Sequence, residues 1–326
     1  MIIYLILIIL FFTASILLAK KFSLYDYPDS RKNHLVPVIN IGGFPIIFSF
    51  FSAYFLFDFN DKIFISLFIS LFFLILGFVD DKINLNPILR IFIQFILALL
   101  FLYLTDIRII NIFLAREIIL PLYLSYFFSA CCILVIINSF NYFDGLDLNL
   151  IFIVIFLTIT VKIFFNFFSI YHVTLFIFPM IIFSILNYGF KILPKMYLGD
   201  NGSNSLGFLF ASIFLIINND MDKTFEIQHK IIWLLAFPSF EFLATTISRK
   251  IRKKNIFEPG KDHIHYIINK YTKNSLLTAL INILILICFY TIGHFILQFN
   301  PNFSFNIFII SFFIYFVIRE KLISNY

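Results

Sequence analysis

Two adjacent carboxylates, Asp80 and Asp81, close an apolar run and are followed by Lys82, Pro87, Arg90 and Gln94. Paired carboxylates at the edge of an apolar segment are costly to desolvate unless they meet cations. A lone Asp-Asp pair is more often a solvated helix end. A second group runs Asn138-Ser139-Phe140-Asn141-Tyr142-Phe143-Asp144-Gly145-Leu146-Asp147. Asn138, Asn141 and Asp144 are three apart, so a helix stacks them on one face, and Gly145 breaks that helix and leaves Asp147 on a turn. Packing gives little reason for such an alignment; a half-helix of a transporter is the plainer alternative. The third group, Tyr197-Leu198-Gly199-Asp200-Asn201-Gly202-Ser203, joins small residues whose amides can approach an anion to Asp200, a hard oxygen ligand suited to Mg²⁺. By itself it would be a Gly-rich turn before a helix. The fourth is the basic segment 249–273, which starts at Arg249 and holds Lys261-Asp262-His263-Ile264-His265-Tyr266. Its charge alone marks topology, and His-x-His lacks the further ligands of a zinc site. Together these carboxylates, amides and cations suit a reaction that joins a water-soluble diphosphate to a lipid-borne phosphate. Mg²⁺ would neutralise the diphosphate, since phosphoryl transfer needs mostly positioning and electrostatics.

Such groups must be carried by a membrane scaffold. Hydrophobic residues make up 61% of the 326-residue chain and charged residues only 13%, and mean hydropathy is +0.99. A soluble domain is about a quarter charged, so lipid must serve as solvent for much of this surface. Cys131, Cys132 and Cys288 all sit in apolar runs, outside any ligand pattern. The N-terminal Met1-Ile2-Ile3-Tyr4 lacks a basic leader region, which makes residues 2–19 a retained first span.

The pattern predicts an all-α polytopic protein in one domain with about eleven spans: 2–19, 41–58, 63–79, 88–104, 118–137, 150–166, 170–186, 205–218, 229–248, 276–298 and 304–318. Of the 24 Lys and Arg, 18 fall in one set of connecting loops. The positive-inside rule puts that set in the cytoplasm, the N-terminus outside and the C-terminus inside. All four chemical groups then share the cytoplasmic face. The net charge of +6 needs no nucleic-acid partner, because basic loops favour anionic lipid headgroups.

The ordered set of motifs resembles the polyprenyl-phosphate N-acetylhexosamine-1-phosphate transferases of glycosyltransferase family 4, with WecA-type and MraY-type (muramoyl-pentapeptide) branches. The likeness covers about residues 20–270. It rests on Asp26-Tyr27-Pro28-Asp29-Ser30-Arg31-Lys32-Asn33-His34 leading to Gly42-Gly43, then on Asp80-Asp81 with Pro87, Arg90 and Gln94. Asn138 to Asp147, Asn187 through Lys195 to Leu206-Gly207, and His263-Ile264-His265 complete it. Each motif is weak alone; their order is specific.

The resemblance implies a bacterial inner-membrane enzyme with a cytoplasmic active site. Undecaprenyl phosphate would attack the sugar-bearing phosphate of a UDP-sugar, UMP would leave, and a lipid diphosphosugar would form. This would initiate a cell-envelope polysaccharide, O-antigen or teichoic acid; whether the chain works as a homodimer stays open. By the same likeness Asp200 matches the Mg²⁺-binding aspartate, with Asp80 as the alternative ligand and Mn²⁺ as a substitute ion. Asp80 and Asp81 match the catalytic pair, with deprotonation of the lipid phosphate as one role. Asp144 and Asp147 match essential acids of the nucleotide cleft. Asn187 and Tyr197 fall where the family contacts uracil, His263 and His265 near the sugar and diphosphate. Asn138, Asn141, Lys195 and Arg249 are further substrate-binding candidates.

Several positions depart from the family pattern. Asn84 stands where the muramoyl branch has Lys, and the His-containing segment differs from that branch, which favours the WecA-like side. Leu198 replaces a usual Met, Tyr266 a usual His, and Asn149 lies near a frequent Gly. Three alternatives compete with this reading. A muramoyl-pentapeptide transferase is disfavoured by Asn84. A CDP-alcohol phosphatidyltransferase needs Ala-Arg soon after Asp-Gly, whereas Leu146-Asp147 follows here. A secondary transporter should carry ionisable residues near the bilayer midplane, where Glu241 and His172 are the main candidates.

The charge asymmetry makes a topological prediction. A Cys placed at Asn255 should be labelled by impermeant maleimide only from the cytoplasmic side; labelling only from the periplasmic side would reverse the orientation.

Overall fold

The computed structural model describes residues 1–28, 36–113, 117–189, 193–221, 225–257, 260–299 and 303–324. Motif residues Asp29 to His34 lie outside the described residues, as do the topology-marking cations Arg116, Lys191 and Lys223. Among the described residues the chain is almost wholly helical. In order come α1 (Ile2–Phe22), α2 (Gly43–Leu56), α3 (Asp61–Ile83), α4 (Pro87–Thr105), α5 (Leu122–Phe143), α6 (Asn149–Phe165) and α7 (Ile170–Tyr188). Then follow α8 (Gly199–Asp220), α9 (Phe225–Leu234), α10 (Ala236–Ile251), α11 (Ile264–Thr272), α12 (Ser275–Phe299) and α13 (Ser304–Ser324). Two small antiparallel ladders, which the all-helical expectation omits, interrupt them: β1 (Tyr25–Asp26) with β2 (Val38–Ile39), and β3 (Asn111–Phe113) with β4 (Glu117–Ile119).

Each expected span falls on a helix, with two corrections. The fifth does not begin at residue 118, because Glu117–Ile119 pair as β4 and α5 starts only after Pro121. The ninth, 229–248, is no single rod: α9 and α10 meet at 60°. Pro238, in the first turn of α10, has no amide to continue the ladder from α9, so the helix breaks there. Nor do length and apolarity alone support eleven crossings. Six helices (α1, α3, α4, α5, α7 and α12) are long and apolar enough, or seven with the bent α9–α10 pair counted as one.

The helix that fails this test most informatively is α8. Its first turns, Gly199 to Ser205, are small and polar, yet every residue from Asn201 to Asn218 is buried. Such a helix must be wrapped by protein rather than lipid, and α2, α3 and α5 supply the wrapping. Small residues let backbones approach where membrane helices cross. At Gly77 of α3 a Cβ would overlap the carbonyl group of Asp200. Only glycine permits α3 to pass this close to the start of α8.

Local signals in the sequence set the neighbouring ends. Asn60 caps α3 by accepting from the Lys62 amide, and Asn84 ends that helix in the left-handed conformation. Asn86 caps α4 by accepting from Ile88, with Pro87 at the first helical position. The tight Asn84–Asn86 connection turns the chain back so that Arg90 of α4 returns to Asp80 of α3.

Gly77→Ala should therefore destabilise the protein by about 1–3 kcal/mol through overpacking, lowering the midpoint of thermal unfolding in detergent. An unchanged midpoint would contradict the close crossing.

Candidate active site

The ends of α3, α5 and α7, the start of α8, and α11 meet around a cleft of about 530 Å³. Its acidic wall carries Asp81, Asp144, Asp147 and Asp200, with Asp26 beside it. Lys195, Lys261 and Lys273 supply the cations, and Tyr197 and Tyr266 the rings.

Asp80 and Asp81 are neighbours in sequence but part company in space, since successive helical side chains diverge. Asp80 is buried and committed: Oδ2 takes Arg90 Nη1 at 2.5 Å and Oδ1 takes the Leu85 amide at 2.8 Å. Asp81 instead caps α8 from outside. Its oxygens accept from the amides of Asp200 and Asn201 at 3.3 and 3.4 Å, and from Asn201 Nδ2 at 2.9 Å. This satisfies two of the donors that a helix start leaves unpaired. The amides expected to face an anionic ligand are thus already occupied by a carboxylate. Gly199 makes the turn possible, having φ of +73°, with its own amide aimed at Asp144.

Asp200 lies at the centre. Asn141 Nδ2 donates to its Oδ1 at 2.7 Å and also reaches Ser203 Oγ at 3.1 Å, while Arg90 Nη1 stands 3.5 Å from Oδ2. Burial pushes the Asp200 carboxyl up to about 8, and the charge of Asp81 adds to the effect. Asp144 is pushed well above the usual carboxylate range by burial, then by Asp200, Asp81 and Asp147. Crowded like charges that hold protons are what an excess of carboxylates over cations produces.

At the other side of the cleft, Lys195 Nζ bonds Asp147 Oδ2 at 2.6 Å and sits 5.2 Å from the centre of the Tyr197 ring. Asn187 lines the cleft, but both ends of its amide bind backbone, accepting from Leu148 at 2.6 Å and donating to Met196 at 3.0 Å.

The remaining candidates lie behind the cleft. Asn138 is buried, donating to Gln94 Oε1 at 3.3 Å and the Leu134 carbonyl at 2.8 Å. Arg249 forms a fork on Asp262, at 3.0 and 2.6 Å. Burial works to raise the Asp262 carboxyl, but Arg249 outweighs it and holds it at about 2. His263 packs on the Tyr142 ring, 4.4 Å between centres. Among the described residues His265 is enclosed with no hydrogen-bond partner on either ring nitrogen, and burial pushes its imidazole down to about 3. Asn40, Asn269, Lys273 and Ser275 line the cleft without any motif to announce them; the nearest signal is the position of Asn40 just before Gly42-Gly43.

Residues 63–218 match the model of glycosyl transferase family 4. The matched stretch, from α3 into α8, is the core of the likeness. That core holds Asp80, Asp81, Asp144, Asp147 and Asp200 and stops short of α10 and α11. The chain is 29% identical over 268 residues to the undecaprenyl-phosphate alpha-N-acetylglucosaminyl 1-phosphate transferase of Thermotoga maritima, covering 81% of this chain and 79% of the relative. It is 27% identical over 279 residues to the protein of that name from Escherichia coli K12, covering 79% and 72%. The Salmonella typhi protein of the same name is 26% identical over 282 residues, covering 80% and 74%.

A hard divalent cation fits this donor set in one respect: it would offset the burial, and then the repulsion, that raise Asp200 and Asp144. No three His, Cys, Asp or Glu side chains among the described residues form a ready ligand cage. Mg²⁺ commonly takes only one or two carboxylates and completes its shell with water and phosphate. Asp200 could hold such an ion, with Asp81 or Asp144 as neighbour, whereas Asp80 is taken up by Arg90.

The raised Asp200 has a thermodynamic sign. Its folded-state pKa of about 8 lies far above that of an ordinary carboxyl, so the folded state binds the proton more tightly. Without divalent cation, stability should fall as pH rises between about 4 and 8. Asp200→Asn should flatten this decline and be at least as stable as wild type at pH 8 in EDTA. A steeper decline in the variant, read by thermal unfolding, would contradict the crowding.

Proposed function

We propose that this chain transfers N-acetylhexosamine-1-phosphate from a UDP-sugar to undecaprenyl phosphate, releasing UMP, at the cytoplasmic face of a bacterial inner membrane. The observation that carries this reading is the convergence of Asp81, Asp144, Asp147 and Asp200 on one cleft at the ends of apolar helices, within the matched family core. The names of the relatives support the acceptor and the class of sugar. Counting α9–α10 as one crossing and leaving α11 at the surface gives eleven passes with the N-terminus outside and the C-terminus inside. Consecutive passes then offer opposite ends to the cleft, and this side carries most of the Lys and Arg.

In the reaction, an oxygen of the lipid phosphate forms a new bond to the sugar-bearing phosphorus of the donor. The bond from that phosphorus to the bridging oxygen breaks, and the oxygen leaves with UMP. Mg²⁺ bound at Asp200 would supply the positive charge that a diphosphate needs. Tyr197 offers a ring face to the uracil, and Lys195, steadied by Asp147, lies within the same cleft to meet phosphate oxygens. Asp80 is engaged by Arg90 and the Leu85 amide. Acceptance of the proton from the lipid phosphate therefore passes to the cleft-facing Asp81, whose carboxyl burial pushes up to about 6. A phosphate monoester ionises with a second pKa of about 6, so a carboxylate of raised pKa suffices.

Purified protein should be incubated with undecaprenyl phosphate, Mg²⁺ and a panel of UDP-sugars that includes UDP-muramoyl-pentapeptide, with products weighed by mass spectrometry. We expect lipid diphospho-N-acetylhexosamine and UMP, no pentapeptide product, and a fall of about 10²–10³ in rate for Asp200→Asn. Product from the pentapeptide donor alone would reassign the substrate, and no product with any donor would reject the reaction.

A further inference from the structure

One wall of the cleft is built by a segment outside the matched family core. Lys261 and Tyr266 line the cleft there, and the Tyr266 hydroxyl donates to the Gly145 carbonyl at 3.1 Å, between Asp144 and Asp147 in the chain. His265 packs under the same turn, so close that a Cβ on Gly145 would lie 2.8 Å from its Nε2. The segment carries few apolar anchors before α11 begins, so something else must fix its height above the acidic turn.

That anchor is an ion pair behind the cleft. Glu241 of α10 and Arg319 of α13 are both fully enclosed and bond each other, Arg319 Nε to Glu241 Oε2 at 3.0 Å. The pair also grips the main chain on both sides of His263. Arg319 Nη2 donates to the Asp262 carbonyl at 2.7 Å, and Glu241 Oε1 accepts from the Ile264 amide at 3.0 Å. Thr245 bridges the two, taking Arg319 Nη2 at 2.6 Å and donating to Glu241 Oε1 at 3.0 Å, and the Tyr315 hydroxyl closes the group on Glu241 Oε2. A buried ion pair is weak evidence for stability, because desolvation cancels much of its attraction. Its geometry is another matter. A planar guanidinium holds several acceptors in one fixed arrangement, which lysine cannot reproduce.

We propose that Glu241 and Arg319 are positioning residues for the sugar-nucleotide donor: through Asp262 and Ile264 they hold the Tyr266 wall against the Asp144–Asp147 turn. This rests on the transferase reading above. Neither residue touches the cleft, so both act through the segment they clamp. The C-terminal helix thereby contributes to donor binding although it supplies no lining residue.

The test uses the full-length purified protein with UDP-N-acetylglucosamine and undecaprenyl phosphate. In the double variant Glu241→Gln/Arg319→Met, which leaves no lone buried charge, the donor KM should rise about tenfold or more, since small misplacements are costly to binding and rate. The acceptor KM should stay unchanged, and hydrogen exchange of the amides of residues 262–268 should accelerate. Arg319→Lys should fall between the double variant and wild type. An unchanged donor KM overturns the proposal, as does a drop in kcat with both KM values unchanged, the signature of a smaller folded fraction. If the double variant does not fold, Arg319→Lys decides: a raised donor KM at unchanged acceptor KM supports the clamp, and wild-type values overturn it. If the wild type turns over no UDP-sugar, the transferase reading fails separately. Amide exchange at 262–268 in the variants then still decides whether the pair holds the wall.

Discussion

The cap that Asp81 places on the start of α8 is the interaction on which the cleft depends. A polar helix start buried among other helices needs partners for its amides, and α3 supplies them with a carboxylate. That contact requires α3 and α8 to cross with almost no space between them, which Gly77 allows. It also fixes Asp200, one residue into α8, above Asn141 and beside Arg90. A carboxylate holding up the start of a helix that itself carries a carboxylate is an unfavourable pairing in isolation. The cost is tolerable because Arg90 stands beside Asp200, and because a cation brought by the donor would complete the balance. Functional sites are where folds carry such unfavourable charge.

From this point the division of labour among the acids follows. Asp80 ties α3 to α4 through Arg90, so it serves the frame. Asp81 serves both frame and cleft. Asp144, Asp147 and Asp200 face the space where a diphosphate would lie. The opposite wall comes from the far end of the chain, through α11 and the ion pair that ties α10 to α13. Early helices thus present the charged groups, and late helices set the distance to them.

Much of the scaffold was legible because apolar runs are long and their ends carry Asn, Asp and Gly. Every expected span lands on a helix for that reason. The bend at Leu235 was written in Pro238, but hydropathy averages over a proline, and the run looked continuous. The short β3–β4 ladder was masked in the same way, since Ile118 and Ile119 extend the apolar run of α5. Within the site, the motifs identified the acids that face the cleft. They did not reveal that Asp80 would turn to Arg90, that Asn187 would spend its amide on the backbone of Leu148 and Met196, or that Arg249 would be tied to Asp262. Those outcomes are set by side-chain direction and by partners distant in sequence. The clamp of Glu241 on Arg319 was hidden for the same reason: 78 residues separate the two, and a lone intramembrane glutamate reads equally well as a transporter residue.

The proposal that Asp81 positions Asp200 as the protein ligand of a donor-bound cation is tested most directly by equilibrium Mn²⁺ binding in the presence of UMP, followed by electron paramagnetic resonance. Wild type and Asp81→Asn should be compared at equal folded fraction. Asp81 holds the Asp200 main chain rather than its carboxylate; loss of an outer group that orients a metal-binding residue typically weakens metal affinity about 10–100-fold, and a loss in that range is expected for Asp81→Asn. Equal Mn²⁺ affinity in the two proteins would contradict it.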